Sequence, residues 1–162
     1  MRLIRAVVLV MILALSAGAG EAEKWIHLSR EDGLPGNEIQ FLRERSDGAI
    51  WIGTLTGLGY WRDGKCHILL NGHQVWDVTP AEANGYWIGT KNGVIYRGEE
   101  PARTELKGWS VAPLIPVGEG HIWAIAKQGQ KSKIVRYDGK SWSAVDKFED
   151  EDVEDMFKTA DG

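Results

Sequence analysis

Covalent stabilisation is scarce in this sequence: of 162 residues one, Cys66, is a cysteine. It has no intrachain partner, so stability in an oxidising compartment must come from packing unless two chains pair. The thiol reads as a half-buried strand residue. No CxxC occurs, and His27, His67, His73 and His121 lack the spacing of zinc ligands, so neither metal nor cofactor is expected. Gly-x-Ser-x-Gly, HExxH and a phosphate loop are missing too, which removes the usual marks of hydrolase, metalloprotease and nucleotide chemistry. No apolar run reaches the roughly 20 residues that span a bilayer as a helix. An excess of positive charge is also lacking, with 19 Lys+Arg against 23 Asp+Glu and a net charge of −4, and this argues against a nucleic-acid partner.

What is present points to strands. Hydrophobic residues make up 43% of the chain, enough to bury the core of a domain of ordinary size. Twenty glycines accompany eight tryptophans. Glycine punctuates turns and tryptophan fills cores, so the pairing implies many short strands with frequent reversals.

The first residues read as a leader. Arg2 and Arg5 precede the apolar run Ala6 to Leu15, and Ser16-Ala17-Gly18-Ala19 supplies the small residues that a signal peptidase accepts. Residues 1–19 are therefore expected to be a signal peptide cleaved after Ala19, which places the mature chain in the periplasm or outside the cell. Charged Glu21, Glu23 and Lys24 follow, and no cysteine stands at the cleavage site to carry a lipid. Losing Arg2 and Arg5 takes the net charge from −4 to −6.

Beyond the leader the sequence repeats itself. Ile50-Trp51-Ile52-Gly53-Thr54 recurs as Tyr86-Trp87-Ile88-Gly89-Thr90 and more loosely as Ile122-Trp123-Ala124-Ile125-Ala126, with the tryptophans 36 residues apart each time. Twelve residues before each Trp stands Ile39, Val75 or Val111, followed three positions on by Leu42, Val78 or Leu114. Val153, Met156 and Asp161-Gly162 match the start of a fourth copy. Asp63-Gly64, Asn92-Gly93 and Asp138-Gly139 supply the positive φ angles that tight hairpins need. Each copy is thus four short strands, the pattern of a β-propeller blade. Trp51, Trp87 and Trp123 are assigned to the packing between blades. The expected architecture is all-β, a partial propeller over residues 24–162 with blades at about 36–70, 71–106 and 107–145 and the start of a fourth at 146–162. Propellers close with roughly 4–8 blades. Three and a half do not close a ring, so the chain is expected to be a piece of a longer protein or to be completed by further blades in cis or from another chain.

The first copy carries a recognisable motif: Glu31-Asp32-Gly33-Leu34-Pro35-Gly36-Asn37-Glu38-Ile39, then Asp47-Gly48-Ala49-Ile50-Trp51-Ile52-Gly53-Thr54, then Thr56-Gly57-Leu58. It resembles the two-component regulator propeller repeat. The second copy keeps the WIGT and NG parts, and the third keeps Trp123 but lacks Gly-Thr. The resemblance implies a seven-bladed propeller in the periplasmic region of a membrane sensor kinase, often a hybrid system that detects polysaccharide breakdown products. No transmembrane helix, kinase core or receiver follows within these residues, so any membrane attachment would come from a segment downstream.

In a propeller the strands pack while the loops at one end of the blades converge and bind. The loops leading into the innermost strands are Leu34 to Glu38, Asn71 to Gln74, Gly108 to Ser110 and Glu149 to Asp152. Asn37, Gln40, His73 and Gln74 offer groups that donate and accept hydrogen bonds to sugar hydroxyls, and Trp76 or Trp109 could stack on a sugar ring. Each has a plainer reading: Asn37 as a turn residue capping backbone, Trp76 as packing beside the core Val75. The acidic run Glu149-Asp150-Glu151-Asp152 lacks the pattern of a calcium loop and reads as a solvated turn.

The expected activity is non-covalent recognition of a small ligand such as an oligosaccharide, not catalysis. Two other classes stay open. A scaffold for protein partners would use exposed aromatics such as Trp61 and Trp142, and a propeller lyase or glycosidase would need converging carboxylates. For the latter Glu38 has no clear partner, with Asp152 a remote candidate.

Overall fold

The computed structural model describes residues 8–11, 25–81, 84–98, 101–118, 120–145 and 153–159. Most of residues 1–19, expected to be a signal peptide, the acidic run Glu149–Asp152 and Asp161-Gly162 lie outside them. Among the described residues there is no α-helix, only a single 3-10 turn at Arg30–Asp32, and none is long and apolar enough to cross a membrane as a helix. Near the N-terminus, β1 (Val8–Met11) is extended and pairs antiparallel with β2 (Trp25–Leu28).

The remaining strands form three four-stranded antiparallel sheets. The first holds β3 (Ile39–Glu44), β4 (Ile50–Thr54), β5 (Gly57–Arg62) and β6 (Lys65–Asn71). The second holds β7 (Val75–Pro80), β8 (Tyr86–Thr90), β9 (Gly93–Arg97) and β10 (Arg103–Glu105). The third holds β11 (Ser110–Gly118), β12 (His121–Gln128), β13 (Lys131–Tyr137) and β14 (Trp142–Ala144). In each, neighbours in the sheet are neighbours in the chain, so every sheet is a simple meander, the topology of a propeller blade. Each sheet thus corresponds to one sequence copy. The chain divides into two compact units, residues 1–72 with the first sheet and residues 73–162 with the other two.

In the first unit the strand alternation separates two faces. Ile50 and Ile52 turn to one side, where Ile52 packs with Leu28 and Leu34, flanked by Ile26, Ile39, Trp61 and Cys66. The chain reaches this position through the 3-10 turn. Ser29 caps it by accepting from the Glu31 N–H, Asp32 reaches back to the Ser29 N–H, and Gly33 ends it in the left-handed region at φ 94°. On the opposite face Trp51 meets the edge of Tyr60, and the Arg45 guanidinium lies 4.7 Å from the Trp51 ring centre.

In the second unit two sheets pack face to face. Trp87, Val94 and Tyr96 of one join Val111, Leu114, Ile122, Ala124, Ala126, Val135 and Tyr137 of the other in a single buried cluster. Trp87 sits at its centre, with edge contacts to Tyr96 on its own sheet and to Tyr137 and Trp142 on the next. Gly89 shares the Trp87 face, and a side chain there would run into the Val111 carbonyl oxygen. Only glycine lets the innermost strand of the next sheet come so close.

Of the three repeat tryptophans assigned to packing between blades, Trp87 is seen between two sheets. Trp51 and Trp87 are 3% and 1% exposed, whereas Trp123 is half-buried. Trp87 is covered because the following sheet brings Tyr137 and Trp142 over it. The described residues after the third sheet are 153–159, and their one aromatic, Phe157, is 80% exposed. The Val153 N–H donates to Ser132 Oγ on β13 at 2.8 Å, so this segment starts against the third sheet.

The threonine ending each WIGT motif builds the following turn. Thr54 Oγ1 donates to the Gly57 carbonyl at 3.0 Å and accepts from the Thr56 N–H at 3.1 Å. Thr90 repeats this with the Gly93 carbonyl at 2.8 Å and the Asn92 N–H at 3.1 Å. The third copy has Ala126 here, and its hairpin instead continues to the pair Gln128–Lys131 before turning. Asp138 closes another turn by accepting from the Lys140 and Ser141 N–H groups, both at 2.9 Å.

Thr90→Val keeps the shape but leaves the buried Gly93 carbonyl without its hydroxyl donor and frees the part-buried Asn92 N–H, and should lower unfolding free energy by about 1–3 kcal/mol in urea titration. The Ser141 and Lys140 N–H groups hold the Asp138 carboxyl below the usual carboxylate range. A pKa lowered on folding adds stability above the unfolded value of about 3.9, and that stability is lost as pH falls through the folded value. Thermal melts from pH 6 down to about pH 2.5 should therefore fall less steeply for Asp138→Asn than for the parent chain.

Candidate functional site

Each innermost strand carries a β-bulge at the same point of the repeat. The pairing skips one residue between Ile39 and Phe41 and one between Val75 and Asp77, and two between Val111 and Leu114. Bulges bend a strand, re-aim its side chains and protect an edge from further pairing. The bulged residues are Gln40, Trp76 and the pair Ala112-Pro113, joined by a cis peptide bond. Two of the residues expected to touch ligand, Gln40 and Trp76, thus occupy equivalent irregular positions in different sheets.

In the first unit the leading loop is rigid. Leu34, Pro35 and Gly36 are buried, Thr56 Oγ1 donates to the Pro35 carbonyl at 2.6 Å, and the Leu55 N–H donates to the Glu38 carbonyl at 3.0 Å. Asn37 Oδ1 accepts from the Arg30 N–H at 2.8 Å, the backbone-capping role weighed against ligand contact. Gln40, three residues further on, is exposed.

In the second unit the turn Lys91–Gly93 is the meeting point. The Lys91 N–H donates to the Gln74 carbonyl at 3.0 Å, and the Gly93 N–H donates to the Trp109 carbonyl at 2.6 Å. One turn thereby ties the loop leading into its own sheet to the loop leading into the next, and brings Gln74 and Trp109 together. His73, Gln74 and Trp76 are half-buried, and the Trp76 indole Nε1 is buried without a hydrogen-bond partner. Trp109 is also half-buried. It packs against the intersheet cluster and carries the Lys133 ammonium 4.1 Å from its ring centre. Its ring is a structural pin with a cation seated on it.

Sequence reasoning missed Asp77. This acid is 3% exposed, and its carboxylate accepts from the Val78 N–H at 2.8 Å through Oδ1 and from the Leu114 N–H at 2.7 Å through Oδ2. The second bond crosses from the innermost strand of one sheet to that of the next. No repeat pattern announces it, because Phe41 and Pro113 stand at the equivalent positions. A concavity was missed as well. A groove of about 180 Å³ is lined by Pro80, Ala81, Pro116, Gly118, Gly120, His121 and Ile122. It lies where the innermost strands β7 and β11 end, opposite the leading loops, and none of the six expected site residues lines it.

Cys66 is free, and burial followed by the nearby Asp32 charge pushes its pKa up, which disfavours the thiolate. Trp61 and Trp142, considered as partner-binding aromatics, are half-buried against their own units, with both indole Nε1 atoms buried. Among the described residues no group of three or more His, Cys, Asp or Glu is placed to hold a metal ion.

Comparison with known proteins agrees with this architecture. The two-component regulator propeller family matches residues 33–56. Among solved structures, the chain is similar to the extracellular domain of BT4673 from B. thetaiotaomicron, described as a hybrid two-component system. The TM-score is 0.58 at 20% identity, covering 76% of this chain and 18% of that one. A second structure of that extracellular domain, described as belonging to a one-component system, gives a TM-score of 0.55 at 18% identity over the same coverage. No curated protein matches the chain significantly. The protein is thus a partial β-propeller. It carries a two-component regulator propeller repeat at the residues from which that resemblance was read, and it spans under a fifth of the length of its structural relatives.

Asp77→Ala leaves the Leu114 N–H buried and unpaired, and should cost about 2–3 kcal/mol by chemical denaturation, with Asp77→Asn losing less. Equal stability of the alanine variant and the parent would show that the intersheet hydrogen bond contributes nothing.

Proposed function

We propose that this chain is the extracytoplasmic, ligand-sensing propeller segment of a two-component signalling protein, exported by a leader that is cleaved after Ala19. The observation that carries the reading is the repeat at residues 33–56, the regulator propeller motif set on a blade whose loops are fixed by hydrogen bonds. The likeness to an extracellular domain supports the location. The segment is read as binding rather than reacting; Asp152, the remote candidate to pair with Glu38, lies outside the described residues.

Its ligand is a small molecule of the oligosaccharide class, held non-covalently at the end of the blades where the innermost strands begin. Each unit offers such groups separately: Gln40 in the first, and Gln74 with His73 and Trp76 in the second, can pair with sugar hydroxyls. Asn37 contributes through its amide nitrogen, since its oxygen is engaged by Arg30. Trp109 acts by holding the loop rather than by stacking. Further blades, in cis or from another chain, complete the ring, and a downstream membrane segment relays a rigid-body change.

Calorimetry of the whole protein against a panel of oligosaccharides tests this. Saturable heat with one glycan class is expected, weakened about tenfold or more by Gln40→Ala with Gln74→Ala. Absence of heat throughout the panel, with signalling intact after deletion of the propeller, would refute it.

A further inference from the structure

The chain is acidic overall, at −4, yet one region of the second unit is basic. Its centre is Gly108, whose N–H donates to Asn92 Oδ1 at 2.9 Å and whose carbonyl accepts from Gln128 Nε2 at 3.0 Å. Four lysines stand around this hub. Lys91 precedes Asn92, Lys107 precedes Gly108, Lys131 pairs across the strands with Gln128, and Lys133 sits on the ring of Trp109. Three of them, Lys91, Lys107 and Lys131, are exposed.

The stretches that bring them together, Thr90–Gly93, Leu106–Ser110 and Lys127–Lys133, contain no Asp or Glu. Glu105, just before the second stretch, is occupied by Arg103 at 3.1 Å. Of the described carboxylates further along the chain, Asp138 accepts from the Lys140 and Ser141 N–H groups, and neither it nor Glu154 nor Asp155 forms a described ion pair with these lysines. Four ammonium groups held on hydrogen-bonded turns repel one another, a cost that an anionic ligand would relieve.

We infer that this surface selects an anionic oligosaccharide, one carrying carboxylate or sulfate groups. The inference rests on the sensing role proposed above and adds the charge of the ligand. Amide side chains interleave with the lysines: Asn92 follows Lys91, and Gln128 and Gln130 precede Lys131. Ammonium groups neutralise the acid groups of such a sugar while carboxamides pair with its hydroxyls. A lipid surface fits less well. Among the described residues the exposed large apolar side chains are Leu42, Ile68, Val117 and Phe157, and none lies in these turns to enter a membrane.

The test is binding of the full chain to an oligogalacturonate tetramer, a neutral cello-oligosaccharide and anionic phosphatidylglycerol vesicles, at low and high NaCl. Preference for the oligogalacturonate is expected, weakening as salt rises and falling by roughly fivefold for each lysine changed in Lys91→Gln and Lys131→Gln. Both sites are exposed, and circular dichroism confirms that the variants fold. Equal binding of the neutral sugar, unchanged in the lysine variants, overturns the anionic selection and leaves the sensing role standing. Failure to bind either sugar overturns both. Lysine-dependent binding to the vesicles alone overturns the inference in favour of a lipid surface.

Discussion

Burial of one indole between two sheets is the interaction on which the second unit depends. A four-stranded meander is apolar on both faces and cannot cover either by itself, so it needs a neighbour. Trp87 meets that need with one side chain: its ring touches Tyr96 of its own sheet and reaches Tyr137 and Trp142 of the next. The Arg103 guanidinium closes the assembly, 4.3 Å from the Tyr96 ring centre and 5.3 Å from that of Trp87. Burial works against the charge on Arg103, but Glu105 and Tyr137 outweigh it and hold its pKa above the ordinary value.

The same interface tapers. Near the innermost strands the contact is backbone on backbone, with Gly89 under the Val111 carbonyl, small Ala124 and Ala126 beside it, and Asp77 bonded across to Leu114. Towards the outer strands the gap is filled by Tyr137 and Trp142. Small residues inside and large ones outside give two sheets a wedge-shaped contact, the geometry that radial stacking requires. The carboxylate of Asp77 suits the narrow end, since it satisfies two buried N–H groups where no further side chain fits.

The fold was legible because its unit repeats. A spacing of 36 residues between tryptophans, with β-branched residues fixed ahead of them, left few architectures to choose among. The detail was less legible where a residue acts through something the repeat does not encode. Asp77 has no counterpart in the other copies, and its partner lies 37 residues away. Trp123 has the sequence position of a core residue, but its exposure depends on what covers it. The turn-building role of Thr54 and Thr90 was present in the WIGT motif, and the altered hairpin at Ala126 shows why losing that threonine matters. Asn37 and Trp109 were read as ligand groups from their chemistry, and packing gave each a structural partner first: Arg30 for the one, Lys133 for the other.

The functional reading follows from this division between scaffold and turns. Stacked sheets fix the positions of the turns, and hydrogen bonds through Thr90, Asn92 and Gln128 fix their shape, so polar and basic side chains are presented from rigid backbone. If stacking through Trp87 failed, no arrangement of these groups would survive. A double-mutant cycle on Trp87→Leu and Trp142→Leu, read by urea unfolding, measures that stacking directly. The stacked arrangement requires a coupling of about 0.5–1.5 kcal/mol between the two substitutions, while strictly additive effects would show that the two sheets do not pack through these rings.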